Sequence, residues 1–109
     1  MDNNLYAAVD LGSNSFQLLI AHLSEGRFRI VDRIKSRVRL AEGMNDKGQI
    51  AADAMSRALT CLTLFAERLA NINPSQIRIT GTYTLRSASN AHEFITRAAL
   101  VLNLSLIHI

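Results

Sequence analysis

Tyr6-Ala7-Ala8-Val9-Asp10-Leu11-Gly12-Ser13-Asn14-Ser15-Phe16 joins two apolar runs through a turn-rich cluster. Tyr6 to Val9 reads as a buried strand ending at Asp10, and Gly12, Ser13 and Asn14 supply the turn. Phe16 to Leu23 is apolar again, long enough for a strand, and carries no helical stripe. Glu25-Gly26 marks the next turn. From Arg27 to Lys35, Phe28, Ile30 and, less cleanly, Ile34 alternate with Arg27, Arg29 and Arg33, which predicts a half-exposed strand. Three strands with short turns predict an antiparallel meander.

Ser36 to Gln49 contains Gly43, Asn45, Asp46 and Gly48 and reads mostly as loop. From Ala51 the period changes. Met55, Ala58, Leu59, Leu62, Phe65, Ala66 and Leu69 recur at three and four, predicting an amphipathic helix that buries Met55, Leu59, Leu62 and Leu69 against the sheet. Asn71, Asn73 and Pro74 stop it. Ile77 to Gly81 reads as a strand after a helical crossover. Asn90 and Glu93 have the spacing of a capping box before a second helix marked by Ala91, Phe94, Ile95, Ala98 and Leu102. The predicted class is α/β, in the order β-β-β-α-β-α.

At 109 residues the chain allows one small domain, and 49% apolar against 19% charged residues is a globular composition. The net charge of +3 is weaker than the clustered basic surface of a dedicated nucleic-acid binder. Cys61 alone excludes an internal disulfide framework and a cysteine zinc cage, and suits a reducing interior. No two of His22, His92 and His108 have metal-ligand spacing. No apolar run of about 18 residues occurs, and the start of the chain lacks a signal-peptide pattern. A cytoplasmic, soluble protein is expected.

Chemistry concentrates in the first turn. Gly12 leaves room for a ligand, and successive N–H groups with the Ser13 and Ser15 hydroxyls and the Asn14 amide can surround phosphate oxygens. Asp10, at the carboxyl end of a strand, is placed to hold Mg²⁺ directly or through water. The competing reading is an ordinary hairpin turn. Arg86, after the fourth strand, would face the same crevice if ligands bind beyond the strands' carboxyl ends, and its planar fork suits phosphate. Arg33, Lys35, Arg37 and Arg39 can attract a polyanion or form a solvated strand face. Cys61 reads as a buried structural thiol. Glu42, Glu67 and Glu93 are candidate bases by residue type alone.

Ala7 to Phe16, Val38-Arg39-Leu40-Ala41-Glu42-Gly43, Leu64 to Leu69, and Gly81-Thr82-Tyr83-Thr84-Leu85-Arg86 with Asn90 together resemble the exopolyphosphatase and guanosine pentaphosphate phosphohydrolase family, in order from Leu5 to Leu102. The resemblance implies an actin-like ATPase fold of the ribonuclease-H-like group, with residues 1–103 as part of its first domain. It implies Mg²⁺-dependent hydrolysis of a terminal phosphoanhydride in inorganic polyphosphate or guanosine pentaphosphate, without nucleic acid or transmembrane segment, by a homodimeric parent. By residue, Asp10 would assist the metal. Gly12, Ser13, Asn14 and Ser15 would form the first phosphate loop. Thr82 and Arg86 would line the crevice, and Arg39 would add positive charge. The family's catalytic glutamate and second phosphate loop have no counterpart in these residues, so the fragment itself is expected to be inactive.

Leu104 to Ile109, Leu-Ser-Leu-Ile-His-Ile, resembles a translated transposon-end adapter and is expected to be non-native; a genuine final strand is the alternative. Two other functions stand against the hydrolase: a nucleotide-binding kinase or chaperone ATPase of the same fold, and a non-catalytic polyanion-binding module. Ser13-Asn14-Ser15-Phe16 and Thr84-Leu85-Arg86 favour the hydrolase.

Overall fold

A computed structural model describes residues 3–81 and 88–102. Strands β1 (Leu5–Leu11), β2 (Phe16–Ser24) and β3 (Arg27–Ser36) form the expected antiparallel meander. The β2–β3 connection is a two-residue hairpin whose Glu25 and Gly26 both take positive φ, at 53° and 75°. This is the backbone that matches the twist of paired strands. Helix α1 (Ala52–Leu69) then crosses over to β4 (Ile77–Gly81), which lies parallel to β1, and α2 (Ala91–Leu102) follows. The sheet order is β3-β2-β1-β4.

One face of the sheet carries the core. Val9, Leu11, Phe16, Leu18 and Ile79 are buried with Met55, Ala58, Leu62 and Phe65 of α1 and with Phe94 and Ala98 of α2. The rings of Phe16 and Phe94 lie 6.3 Å apart and tie β2 to α2. Around the start of α1, Gly43 approaches so closely that a Cβ there would stand 2.2 Å from the Ala54 Cβ. Asn73 ends the crossover: its side chain accepts from the Ser75 N–H at 3.0 Å, with Pro74 at the start of a short 3₁₀ turn.

Three expectations need correction. The alternation in β3 changes phase at a bulge between Ile20 and Ala21 of β2, where Ile30 pairs with Ala21 and Asp32 with Ile20. The extra residue, Val31, moves Ile34 to the core face and leaves Phe28 and Ile30 on the open face, 63% and 52% exposed. Tyr6 packs edge-on against Phe28 there, 5.5 Å between ring centres. Leu59 is half-buried because it borders the groove between α1 and α2 rather than the sheet. The capping box does not form. Asn90 instead accepts from the Ile50 N–H at 2.8 Å and donates to the Ile50 carbonyl at 3.0 Å. It thereby joins the entry of α2 to the segment before α1.

Among the described residues no helix is long and apolar enough to cross a membrane. Cys61 is buried within α1, as expected. Burial pushes its thiol above the ordinary value, and a hydrogen bond with Ser36 opposes this. The unfolded thiol therefore ionises first, so this contribution to stability is complete below about pH 8.5 and declines as pH rises through the folded value. The urea midpoint is expected to fall above that pH, and Cys61→Ser should remove part of the fall; an identical pH profile for both proteins would contradict this.

Candidate functional site

The β1–β2 connection is the 12–15 loop, closed by the Leu11–Phe16 pair and by a Gly12 N–H donating to the Ser15 carbonyl at 3.0 Å. An added Cβ at Gly12 would lie 2.5 Å from that same oxygen. Glycine is required here for space and not for a positive φ. The Gly12 N–H is consumed inside the loop, so the expectation that every successive N–H faces a ligand is corrected at this residue. The Asn14 and Ser15 N–H groups have no partner among the described residues.

The loop is held from below by the segment after β3. Arg39 donates its N–H to the Asn14 carbonyl at 2.8 Å, and Ala41 donates to the Ser13 carbonyl at 2.9 Å. Both loop carbonyls thus point into the protein, which turns the intervening N–H groups the other way. Arg39 takes a left-handed backbone, φ 57°, a conformation costly for a side chain with a Cβ and maintained by these bonds. Its guanidinium lies 3.9 Å from Glu42, both well exposed.

Helix α1 fixes this brace through Arg57. Its Nε donates to the Val38 carbonyl at 3.1 Å, its Nη2 lies 3.5 Å from the Arg39 carbonyl, and Asp53 holds its Nη1 at 3.3 Å. Arg57 escaped the reading of the sequence, although Asp53 and Arg57 show the i,i+4 pairing of a helix surface. As a positioning residue it should matter to the loop more than to the fold. Arg57→Ala is expected to weaken phosphate binding several-fold while costing about 1 kcal/mol of stability. Phosphate titration beside a urea melt checks this, and an unchanged affinity would remove Arg57 from the brace.

Asp10 pairs with Gln17 and with Thr80 and is exposed on the open face, next to the loop. The parallel register sets Gly81 opposite Leu11, so β1 and β4 end at the same edge. Thr82 and Arg86 lie outside the described residues, as do Leu104 to Ile109. The structure therefore brings together Asp10, Gly12, Ser13, Asn14, Ser15 and Arg39. Glu67 neighbours Arg68, whose bond to Asp32 at 2.6 Å puts that end of α1 across the row of Ile20. Glu93 stands 4.0 Å from Arg97 on α2. A groove of about 560 Å³ between the helices, bordered by Met55, Leu59, Asn90 and Arg97, includes Glu93 but none of the candidate phosphate- or metal-binding residues. Among the described residues no cluster of three or more metal-ligating side chains occurs.

The Ppx/GppA phosphatase family model matches residues 19–109. Among solved structures, the Aquifex aeolicus member of the Ppx/GppA family superposes with a TM-score of 0.87 at 22% identity, over 96% of this chain and 34% of its own. An exopolyphosphatase from Cytophaga hutchinsonii ATCC 33406 gives 0.85 at 33% identity, over 93% of this chain and 32% of its own. The ethanolamine utilization protein EutJ from Carboxydothermus hydrogenoformans, at 14% identity and a TM-score of 0.57 over 96% of this chain and 44% of its own, shares the fold alone. The chain spans about one third of the length of the Ppx/GppA structures it matches. The four-stranded mixed sheet with its helices is that of the actin-like ATPase fold, and with a family model covering most of its length the chain belongs to the Ppx/GppA phosphatase family.

Proposed function

We propose that these residues supply the first phosphate-binding half of a phosphoanhydride hydrolase. Its reaction releases orthophosphate from the end of inorganic polyphosphate, or converts guanosine pentaphosphate to the tetraphosphate. The observation that carries the reading is the braced 12–15 loop, with the Asn14 and Ser15 N–H groups unpartnered beside Asp10 at the shared end of β1 and β4. Anion binding by consecutive amides needs their carbonyls tied back, and the bonds from Arg39 and Ala41 do that.

Phosphoryl transfer depends on positioning and on neutralising charge at the transferring group. The loop amides would orient the terminal phosphate, with the Ser13 and Ser15 hydroxyls as further donors. Arg39, and in this reading Arg86, would offset its charge, with Thr82 lining the crevice. A single exposed carboxylate suits Mg²⁺, which keeps several waters and binds through one or two carboxylates plus substrate phosphates. Asp10 would hold it there, where it would screen the phosphate oxygens. Glu42 is engaged with Arg39, and Glu67 and Glu93 sit on the helices. None of them is assigned as the base, so the 109-residue chain alone is proposed to bind without turning over.

The test is a chimera in which residues 1–103 replace the matching third of the Cytophaga hutchinsonii exopolyphosphatase. Orthophosphate release from long-chain polyphosphate and from guanosine pentaphosphate is expected, together with loss on Ser13→Ala and a larger loss for Arg86→Ala than for Arg86→Lys, which keeps charge but not the fork. A folded chimera without turnover, or one indifferent to both residues, would overturn the reading.

A further inference from the structure

Ile50, in the segment before α1, is 3% exposed. Residues 43–45 and 49–51 run antiparallel there about a Met44–Ile50 bridge. Ala51 donates its N–H to the Gly43 carbonyl at 2.8 Å, and Asn45 donates to the Gln49 carbonyl at 2.8 Å. Those bonds flank Ile50 and leave its own N–H and carbonyl directed away from Met44. Buried backbone groups without partners are costly. The Asn90 side chain meets both of them, as a third strand would. The Ser89 N–H adds a bond to the Gly48 carbonyl at 3.0 Å.

Asn90 does not spend its side chain on its own helix. The start of α2 rests on main-chain bonds, from the Ala91 N–H to the Ala88 carbonyl at 3.1 Å and from the Phe94 N–H to the Asn90 carbonyl at 3.3 Å. From Ile50 the bonds lead instead to the 12–15 loop. Gly43, held by Ala51, shares its own N–H between the Arg39 and Leu40 carbonyls at 3.2 and 3.1 Å. Arg39 in turn donates to the Asn14 carbonyl, one of the two bonds that tie the loop carbonyls back. Gly43 lies against Ala54 too closely for a Cβ, so little slack exists there to absorb a movement of residues 44–50.

We propose that Asn90 is a positioning residue for phosphate binding. It clamps residues 44–50 and, through Gly43 and Arg39, keeps the Asn14 and Ser15 amides presented. The proposal rests on the phosphate-binding reading of the 12–15 loop. A carboxamide suits this place because one short side chain must offer an acceptor to the N–H and a donor to the carbonyl of the same residue. An ionised aspartate has no donor, a serine has a single oxygen, and a glutamine is longer by a methylene.

The test titrates tripolyphosphate in Mg²⁺ into the 109-residue chain and into its Asn90→Ala and Asn90→Ser variants, with Leu69→Val as control. Leu69 is buried at the far end of α1, roughly 25 Å along the helix from Ala52. Its substitution should lower the urea midpoint without reaching the clamp. Serine is about as good a helix N-cap as asparagine, so it would restore wild-type affinity if Asn90 served only the start of α2. About fivefold weaker binding is expected in both Asn90 variants, the scale of a substitution within one coupled network, and less than about twofold in Leu69→Val. In ¹⁵N spectra without ligand, the Asn14, Ser15 and Arg39 amides should shift in the Asn90 variants and stay in Leu69→Val. Wild-type affinity in Asn90→Ser, an equal loss in Leu69→Val, or shifts confined to Ile50 and the first turn of α2 would overturn the clamp and leave the loop reading standing. Absence of binding by the wild type would overturn both. Urea melts establish that each variant is folded, and the serine variant decides if the alanine variant is not.

Discussion

Gly12→Ala is expected to abolish phosphate binding and to destabilise the chain by about 1–3 kcal/mol, the usual cost of forcing atoms into a filled space. The new Cβ would stand 2.5 Å from the Ser15 carbonyl oxygen. Both atoms belong to the backbone of one short loop, so no rotamer change relieves the clash. The loop must open, which loses the Gly12 to Ser15 bond and displaces the carbonyls that Arg39 and Ala41 hold. Function should therefore fall further than stability does. Urea unfolding with a parallel phosphate titration reads both quantities. Wild-type affinity in the alanine variant would mean that the loop shape described here is not the one that binds.

The second large effect concerns the core. Phe94→Ala is expected to cost about 3–5 kcal/mol, a large fraction of the 5–15 kcal/mol typical of a whole domain. Phe94 is fully buried and meets Phe16, so its loss leaves a void between α2 and β2. Phe28→Ala is the matched comparison. Phe28 is 63% exposed and touches Tyr6 on the open face, so its removal should cost about 1 kcal/mol or less. Equal losses from the two substitutions would show that the sheet buries the other face and that the bulge is misplaced.

The pair also marks what the sequence could show. Apolar runs, period and turn residues together placed the strands and helices of the described residues: Met55, Leu62 and Leu69 recur at helical spacing, Tyr6 to Val9 and Phe16 to Leu23 are continuous apolar runs, and Ile77 to Gly81 is a short β-branched run between turn signals. They also singled out the 12–15 loop, whose glycine and hydroxyl residues have few uses other than a tight turn or a ligand. The bulge was invisible, since one inserted residue at Val31 inverts the meaning of every later position in β3 without breaking the alternation. Ile34, which fitted the pattern poorly, was the trace it left. Asn90 misled for a related reason. Its spacing from Glu93 is a local signal, whereas its hydrogen bonds go to Ile50, 40 residues away. Arg57 was missed because its partners are the backbone carbonyls of Val38 and Arg39, and no side-chain pattern reports those.

The central claim is that a braced loop presents the Asn14 and Ser15 amides to a phosphate. Titrating tripolyphosphate with Mg²⁺ into the ¹⁵N-labelled chain, and following each backbone amide by NMR, tests it residue by residue. The account predicts saturable shifts that are largest at Asn14 and Ser15 and smaller at Arg39 and Ala41. The Gly12 amide, already bonded to the Ser15 carbonyl, should move less than either of its two neighbours beyond Ser13. Shifts centred on the groove between α1 and α2, or saturable binding that leaves Asn14 and Ser15 unmoved, would contradict it.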